Sequence, residues 1–180
     1  MNLANKLTLF RIFLVPVFMV FLLVDIPYGS TIAAIIFIIA ALTDMLDGHI
    51  ARSRNMITKF GKFMDPLADK LLVSAALISL TEMGIVPSWM VVIIIAREFA
   101  ITGLRVLAAS EGITIAASKW GKVKTITQLV AIISILLNNF PFNYVGLPFD
   151  RFMLVLAVIF TIISGLDYIY KNINLFNLQD

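Results

Sequence analysis

The chain has 180 residues, 61% hydrophobic and 14% charged, with no cysteine, a net charge of +3 and a mean hydropathy of +1.00. Soluble domains carry roughly 45–50% apolar and about 25% charged residues; this chain exceeds what one soluble core can bury, and it reads as an integral membrane protein with a single domain over residues 1–180. The lack of cysteine excludes disulfides and thiolate chemistry, and the basic excess of a membrane protein reports topology and contact with anionic headgroups or phosphates, not nucleic acid.

The first predicted element covers residues 7–24, after "MNLANKLTLFR". That start lacks the plan of a cleaved signal peptide, so the first apolar segment is expected to be kept. Crossing a hydrocarbon core of about 30 Å takes roughly 20 helical residues, and further apolar runs of that order follow at 31–51, 65–83, 89–109, 121–137 and 152–170. The turn-rich breaks between them are "DIPYGS", "RSRNMITKFGKFM", "EMGIVPS", "SEGITIAAS" and "NNFPFNYVGLPFDR". The expected fold class is all-α, a bundle of six transmembrane helices with an N-terminal amphipathic segment.

Lys and Arg are retained on the cytoplasmic side of membranes. With a cytoplasmic N-terminus, that side carries Lys6, Arg52, Arg54, Lys59, Lys62, Lys119, Lys122, Lys124 and Lys171, and the far side Arg151 with Asp25, Glu82 and Asp150. Both termini are therefore expected in the cytoplasm, with the acidic stretch at residues 43–70.

Asp44 and Asp47 end the second run three residues apart, and Asp65 and Asp69 open the third four apart, so each pair shares a helical face. Pro66 is expected in the first turn of that third helix, where its missing N–H does no harm. Four carboxylates in a small volume do not all stay ionised unless positive charge is placed among them. An all-carboxylate set without Cys or His favours divalent cations, Mg²⁺ or Mn²⁺, and a pair of them would clamp a phosphate. Gly48 and Gly61 leave room for a ligand against backbone, and Arg52 follows Gly48 by one turn, suited to phosphate oxygens. Simple pairing of these acids with nearby Lys and Arg at the membrane edge is the plainer alternative; it does not explain two spaced pairs with two glycines and an arginine in register.

The string Asp44-x-x-Asp47-Gly48-x-x-Ala51-Arg52, then eight residues, then Gly61-x-x-x-Asp65-x-x-x-Asp69, resembles the complete signature of the CDP-alcohol phosphatidyltransferases. The resemblance implies six transmembrane helices with cytoplasmic termini, a CDP-diacylglycerol donor, two divalent cations and a homodimer. It makes Asp44, Asp47, Asp65 and Asp69 metal ligands, with Asp69 also the general base, and places Gly48, Ala51, Arg52, Thr58 and Gly61 against the donor. The start "NLANKLTLFR" is similar to the family's N-terminal segment, which adds Asn5 and Thr8 beside the nucleotide.

A second set of charges lies in "AREFAITGLR", with Arg97 and Arg105 inside the fourth run, and in "KWGKVKT", with Lys122 and Lys124 opening the fifth. An arginine in mid-helix is costly in lipid and normally faces a wet cavity or a partner. Arg97 and Arg105 stand about 12 Å apart along one helix and about 80° apart around it, so both fit one wall of a site for an anionic acceptor. The alternatives are that Arg97 pairs with adjacent Glu98 and that the lysines are only a topology signal. The order A-R-E-F-x-x-x-G-L-R followed by G-K-x-K-T resembles, more narrowly, the branch of the family that uses sn-glycerol 3-phosphate, the bacterial phosphatidylglycerolphosphate synthases. It implies acceptor-phosphate roles for Arg97, Arg105, Lys122 and Lys124.

The expected function is transfer of a phosphatidyl group from CDP-diacylglycerol to glycerol 3-phosphate, at the cytoplasmic face of a bacterial cell membrane. A different acceptor, such as inositol phosphate or phosphatidylglycerol, is the nearest alternative. From another class, intramembrane acids also mark divalent-cation transporters, but here no repeated half is seen. His49 occupies a variable position of the signature and reads as a bystander, Asp167 as an interfacial pairing residue, and Trp89 and Trp120 as interfacial anchors.

Overall fold

The computed structural model describes residues 3–53, 59–110, 112, 115 and 118–172, and within them all side chains but those of 3–5, 44–53, 59–66, 69 and 110. Among the described residues there are six α-helices and no strand: α1 (Leu3–Leu23), α2 (Gly29–Ser53), α3 (Lys59–Glu82), α4 (Ser88–Ser110), α5 (Lys119–Leu136) and α6 (Phe149–Lys171), with a short 3₁₀ turn at Phe142–Val145. Each predicted run is a helix, the form that satisfies backbone groups within one segment when no water is at hand. Lys6–Leu23 and Phe149–Lys171 are long and apolar enough to cross a membrane. Large apolar side chains such as Phe13, Val92, Phe99 and Ile126 are exposed, as a lipid solvent permits.

Two expectations are corrected. Helix α3 begins at Lys59, so Pro66 lies in the helix interior and not in its first turn. A helical turn there forgoes the hydrogen bond that the residue 66 N–H would have given to the Lys62 carbonyl. The N-terminal amphipathic segment is likewise no separate element: residues 3–11 are the opening turns of α1.

The chain forms two compact units, Met1–Val86 and Pro87–Asp180. In the first, α1 packs against both α2 and α3. It buries Thr8, Arg11, Val15, Phe18 and Leu22, one stripe with alternating spacings of three and four residues. Ala33, Ala34 and Ala40 of α2 are buried and small enough for close helix approach, and the Phe18 and Phe37 rings meet at 6.0 Å. The α1–α2 turn requires glycine at its end, since a Cβ on Gly29 would lie 2.5 Å from the Phe21 carbonyl oxygen.

In the second unit α5 packs along α6, and α4 packs on α6. Ser118 caps α5 by accepting the Gly121 N–H at 3.1 Å. The α5–α6 connection is tied by Asn139, whose amide donates to the Leu147 carbonyl at 2.7 Å and whose side-chain oxygen accepts the Asp150 N–H at 3.1 Å. The Phe142 and Phe149 rings stack at 4.2 Å beside it. The core stripe of α6 runs Leu154, Ala157, Thr161, Ser164, Tyr168, again at spacings of three and four.

Candidate active site

The acidic residues belong to the first unit. Asp44, Asp47, Gly48 and Ala51 lie in the last three turns of α2, and Asp65 and Asp69 in the second and third turns of α3. On α2 the register of buried Ala33, Phe37 and Ala40 continues through Asp44, Asp47 and Ala51 at steps of three and four. On α3 the register of Asp65 and Asp69 runs on into buried Leu72 and Ala76. Each acidic pair thus shares its helical register with buried positions elsewhere on the same helix, and α2 and α3 are in contact. The donor set is oxygen only, which suits Mg²⁺ or Mn²⁺ and not a soft metal. The side chains of Asp44, Asp47, Gly48, Ala51, Arg52, Gly61, Asp65, Asp69 and Asn5 lie outside the described ones, as does residue Thr58 altogether. Thr8 is fully buried on α1, one turn before buried Arg11, a residue the sequence reading passed over.

The basic residues Arg97, Arg105, Lys122 and Lys124 belong to the second unit. The buried stripe of α4, Val91, Ile94, Ile101 and Ala108, has the register 91, 94, 98, 101, 105, 108, so Glu98 and Arg105 occupy two of its positions. The Glu98 carboxylate takes the Lys124 ammonium from α5, and that lysine is 1% exposed. A lysine so buried is tolerable only when paired. Lys124 is therefore a cross-helix tie between α4 and α5 as well as a candidate ligand, while Lys122, two residues earlier, is exposed.

Arg97 threads between two glycines. A Cβ on Gly165 of α6 would stand 3.4 Å from Arg97 Cγ, and one on Gly121 of α5 would stand 3.7 Å from its Nη2. The Arg97 Nε is buried and has no hydrogen-bond acceptor. Arg105 is exposed, with its guanidinium over the ring of Tyr168, 5.6 Å from the centroid. Glu98, Arg105 and Tyr168 all lie within electrostatic range of Arg97. Asp167 pairs with Lys171 at 2.7 Å, as its sequence position suggests.

Helices of the second unit thus bring Arg97, Arg105 and Lys124 into one cluster, with Glu98, which the sequence offered only as a neighbour for Arg97, and with Tyr168, Gly121 and Gly165 as members the sequence reading did not single out. The three-and-four spacing that ends at Tyr168, and the four residues from Gly121 to Thr125 and from Thr161 to Gly165, are visible in sequence only once the helix faces are fixed. Chemically the cluster is a partly dehydrated set of N–H donors with one internal carboxylate.

Comparison with known proteins gives a concordant result. The family model described as CDP-alcohol phosphatidyltransferase matches residues 1–163. The chain is 49% identical over 183 residues to a CDP-diacylglycerol–glycerol-3-phosphate 3-phosphatidyltransferase of Bacillus subtilis (strain 168), covering 95% of each chain. It is 40% identical over 174 residues to a probable phosphatidylglycerophosphate synthase of Mycobacterium tuberculosis (strain H37Rv), covering 94% of this chain and 81% of the other. With a CDP-diacylglycerol–glycerol-3-phosphate 3-phosphatidyltransferase of Shigella flexneri serotype 5b it shares 39% identity over 175 residues, 93% of each.

Proposed function

The chain belongs to the CDP-alcohol phosphatidyltransferase family, and from that premise we propose that it transfers the phosphatidyl group of CDP-diacylglycerol to sn-glycerol 3-phosphate, releasing phosphatidylglycerol phosphate and CMP. The observation that carries the acceptor is the arginine-rich cluster of α4, where Arg97 Nε is buried without an acceptor; the phosphate of an anionic alcohol meets it with a charge-assisted bond that an uncharged hydroxyl does not match. Relatives named for this reaction align over nearly the whole chain. The transporter reading finds no support in the family or in these relatives.

In the proposed mechanism Asp44, Asp47, Asp65 and Asp69 would hold two divalent cations, Mg²⁺ or Mn²⁺, which would supply positive charge to neutralise the donor pyrophosphate and the leaving CMP. Gly48, Ala51, Arg52, Thr58 and Gly61, with Asn5 and Thr8, receive the CDP moiety. Arg97, Arg105, Lys122 and Lys124 grip the acceptor phosphate, leaving its C1 hydroxyl free to react. Asp69 takes the proton from that hydroxyl, whose oxygen forms a bond to the lipid-side phosphorus as the bond to the CMP oxygen breaks. One carboxylate serving as ligand and base is consistent with its place one turn after Asp65.

All six helices would span the membrane, with both termini and the acidic stretch cytoplasmic as the Lys and Arg distribution indicates, in the plasma membrane of a bacterium. A homodimer is part of the same proposal. The test is CMP release from CDP-diacylglycerol by the detergent-purified chain, with and without glycerol 3-phosphate, in Mg²⁺, Mn²⁺ or EDTA. Release needing both a metal and glycerol 3-phosphate is expected; metal-dependent release with another alcohol only would discard the acceptor.

A further inference from the structure

Helix α5 is short for a membrane crossing. Its 18 residues rise about 27 Å, against a hydrocarbon core of about 30 Å. Lys119, Lys122 and Lys124 fall in its first six residues and hold that end toward water, so the other end, at Leu136, stops short of the opposite headgroups. The connection to α6, residues 137–148, begins there. From Thr125 to Phe149 the chain carries no charged residue. In the connection Phe140, Tyr144, Val145 and Leu147 are exposed, Tyr144 at 80% and Val145 at 76%, and the Phe140 and Tyr144 rings meet edge to face at 5.9 Å. This apolar surface leads into the exposed stripe of α6, Phe152, Val155, Ile159 and Ile162.

The connection also meets its own backbone donors. The N–H groups of Asn138, Asn139 and Phe140 donate to the carbonyls of Ile135, Ser134 and Leu137, and those of Asn143, Tyr144, Gly146 and Leu147 to carbonyls of Asn139, Pro141, Asn143 and Phe142. The Phe149 N–H donates to the Leu147 carbonyl, and Pro141 and Pro148 have no N–H to satisfy. Asn139 joins the two ends, through the Leu147 carbonyl and the Asp150 N–H. A loop in water needs neither a charge-free apolar surface nor donors met from within. At the edge of a bilayer both are favourable, because unmet backbone groups are costly there and aromatic rings gather at headgroup level.

We propose that residues 140–147 are an interfacial anchor: the connection lies at the headgroup–acyl boundary of the leaflet opposite the lysine-rich start of α5, with Phe140, Tyr144 and Val145 set among lipid. The partner is a lipid surface, held by apolar and aromatic contact and not by charge. The anchor completes the crossing that α5 is too short to make and fixes the depth of α5 and α6. This inference rests on the reading above that α6 spans the membrane.

The chain has no cysteine, so a single introduced one takes a nitroxide label at a unique place. Tyr144→Cys and Val145→Cys are labelled in the full-length protein, reconstituted in vesicles of phosphatidylcholine and phosphatidylglycerol. Ile159→Cys, in the exposed stripe of α6, and Lys171→Cys, at its exposed end, serve as lipid and water references. Power-saturation EPR compares collision with oxygen, which concentrates in lipid, and with a water-soluble nickel chelate. Both loop labels are expected to show an oxygen-to-nickel ratio severalfold above that at position 171 and below that at position 159. A ratio equal to that at position 171 overturns the anchor, since the loop then stands in water. Shielding from both probes overturns it in favour of a protein partner, a second copy of this chain included. If position 159 itself gives the water ratio, α6 does not cross the membrane and the inference falls with that reading.

Discussion

The Lys124 ammonium of α5 is paired with the Glu98 carboxylate of α4, and the lysine side chain is 1% exposed against 22% for the glutamate. Removing one partner leaves the other charge buried and uncompensated, at a cost of about 3–5 kcal/mol. Lys124→Met and Glu98→Gln are each expected to lower the melting temperature in detergent markedly. The double variant should lose clearly less than the sum of the two, because it leaves no orphan charge. Strictly additive losses would mean that the pair contributes nothing as a pair.

Asp69, one turn beyond Asp65 on α3, is the general base in the mechanism proposed above. General bases contribute about 10²–10⁴-fold to rate, so Asp69→Asn should reduce kcat by that order. Amide substitution keeps the shape and an oxygen donor, so equilibrium binding of CDP-diacylglycerol should change little. Residual turnover near that of the unaltered protein would remove Asp69 from the role.

Metal removal offers a separate check on the acidic face. EDTA is expected to abolish CMP release, and Mg²⁺ or Mn²⁺ to restore it, whereas Ca²⁺, which takes longer bonds and more ligands, should restore it poorly. Asp44→Asn should raise the Mg²⁺ concentration needed for half-maximal activity at least tenfold, an estimate of about the size seen for weakened metal ligation. Activity that persists undiminished in EDTA would sink the metal assignment.

The helices themselves were legible in sequence, because apolar runs bounded by Gly, Pro and Asn leave few alternatives; the six predicted runs differ from α1–α6 mainly at their ends. The start of α3 was misjudged because "KFGKFM" looks like a polar linker by composition, while its backbone continues the helix from Lys59. The acidic spacing was legible because a helix converts intervals of three and four into one face. The partner of Glu98 was not: sequence offered its neighbour Arg97, but residues one apart on a helix point about 100° apart, and the lysine that pairs with it comes from α5. Tyr168 was hidden for the same reason, since its meaning depends on which α4 residue its ring meets.

The passage of Arg97 between α5 and α6 gives a size-graded prediction. A Cβ at position 165 would stand 3.4 Å from Arg97 Cγ, ordinary contact, so Gly165→Ala should be accepted with KM for glycerol 3-phosphate near that of the unaltered protein. Stability is expected to rise by about 0.5–1 kcal/mol, the helical cost of glycine relative to alanine. Gly165→Val adds two methyl groups beyond that contact distance, and the arginine stem has to give way. Because Arg97 is assigned to the acceptor phosphate, the displacement should raise KM for glycerol 3-phosphate severalfold, about 1 kcal/mol or more by the usual cost of overpacking, while KM for CDP-diacylglycerol stays within about twofold. Kinetics of both variants against both substrates, with melting curves to show that each is folded, decide the matter. A Gly165→Val protein that melts normally and keeps both constants would mean that Arg97 does not grip the acceptor from the place where α6 holds it.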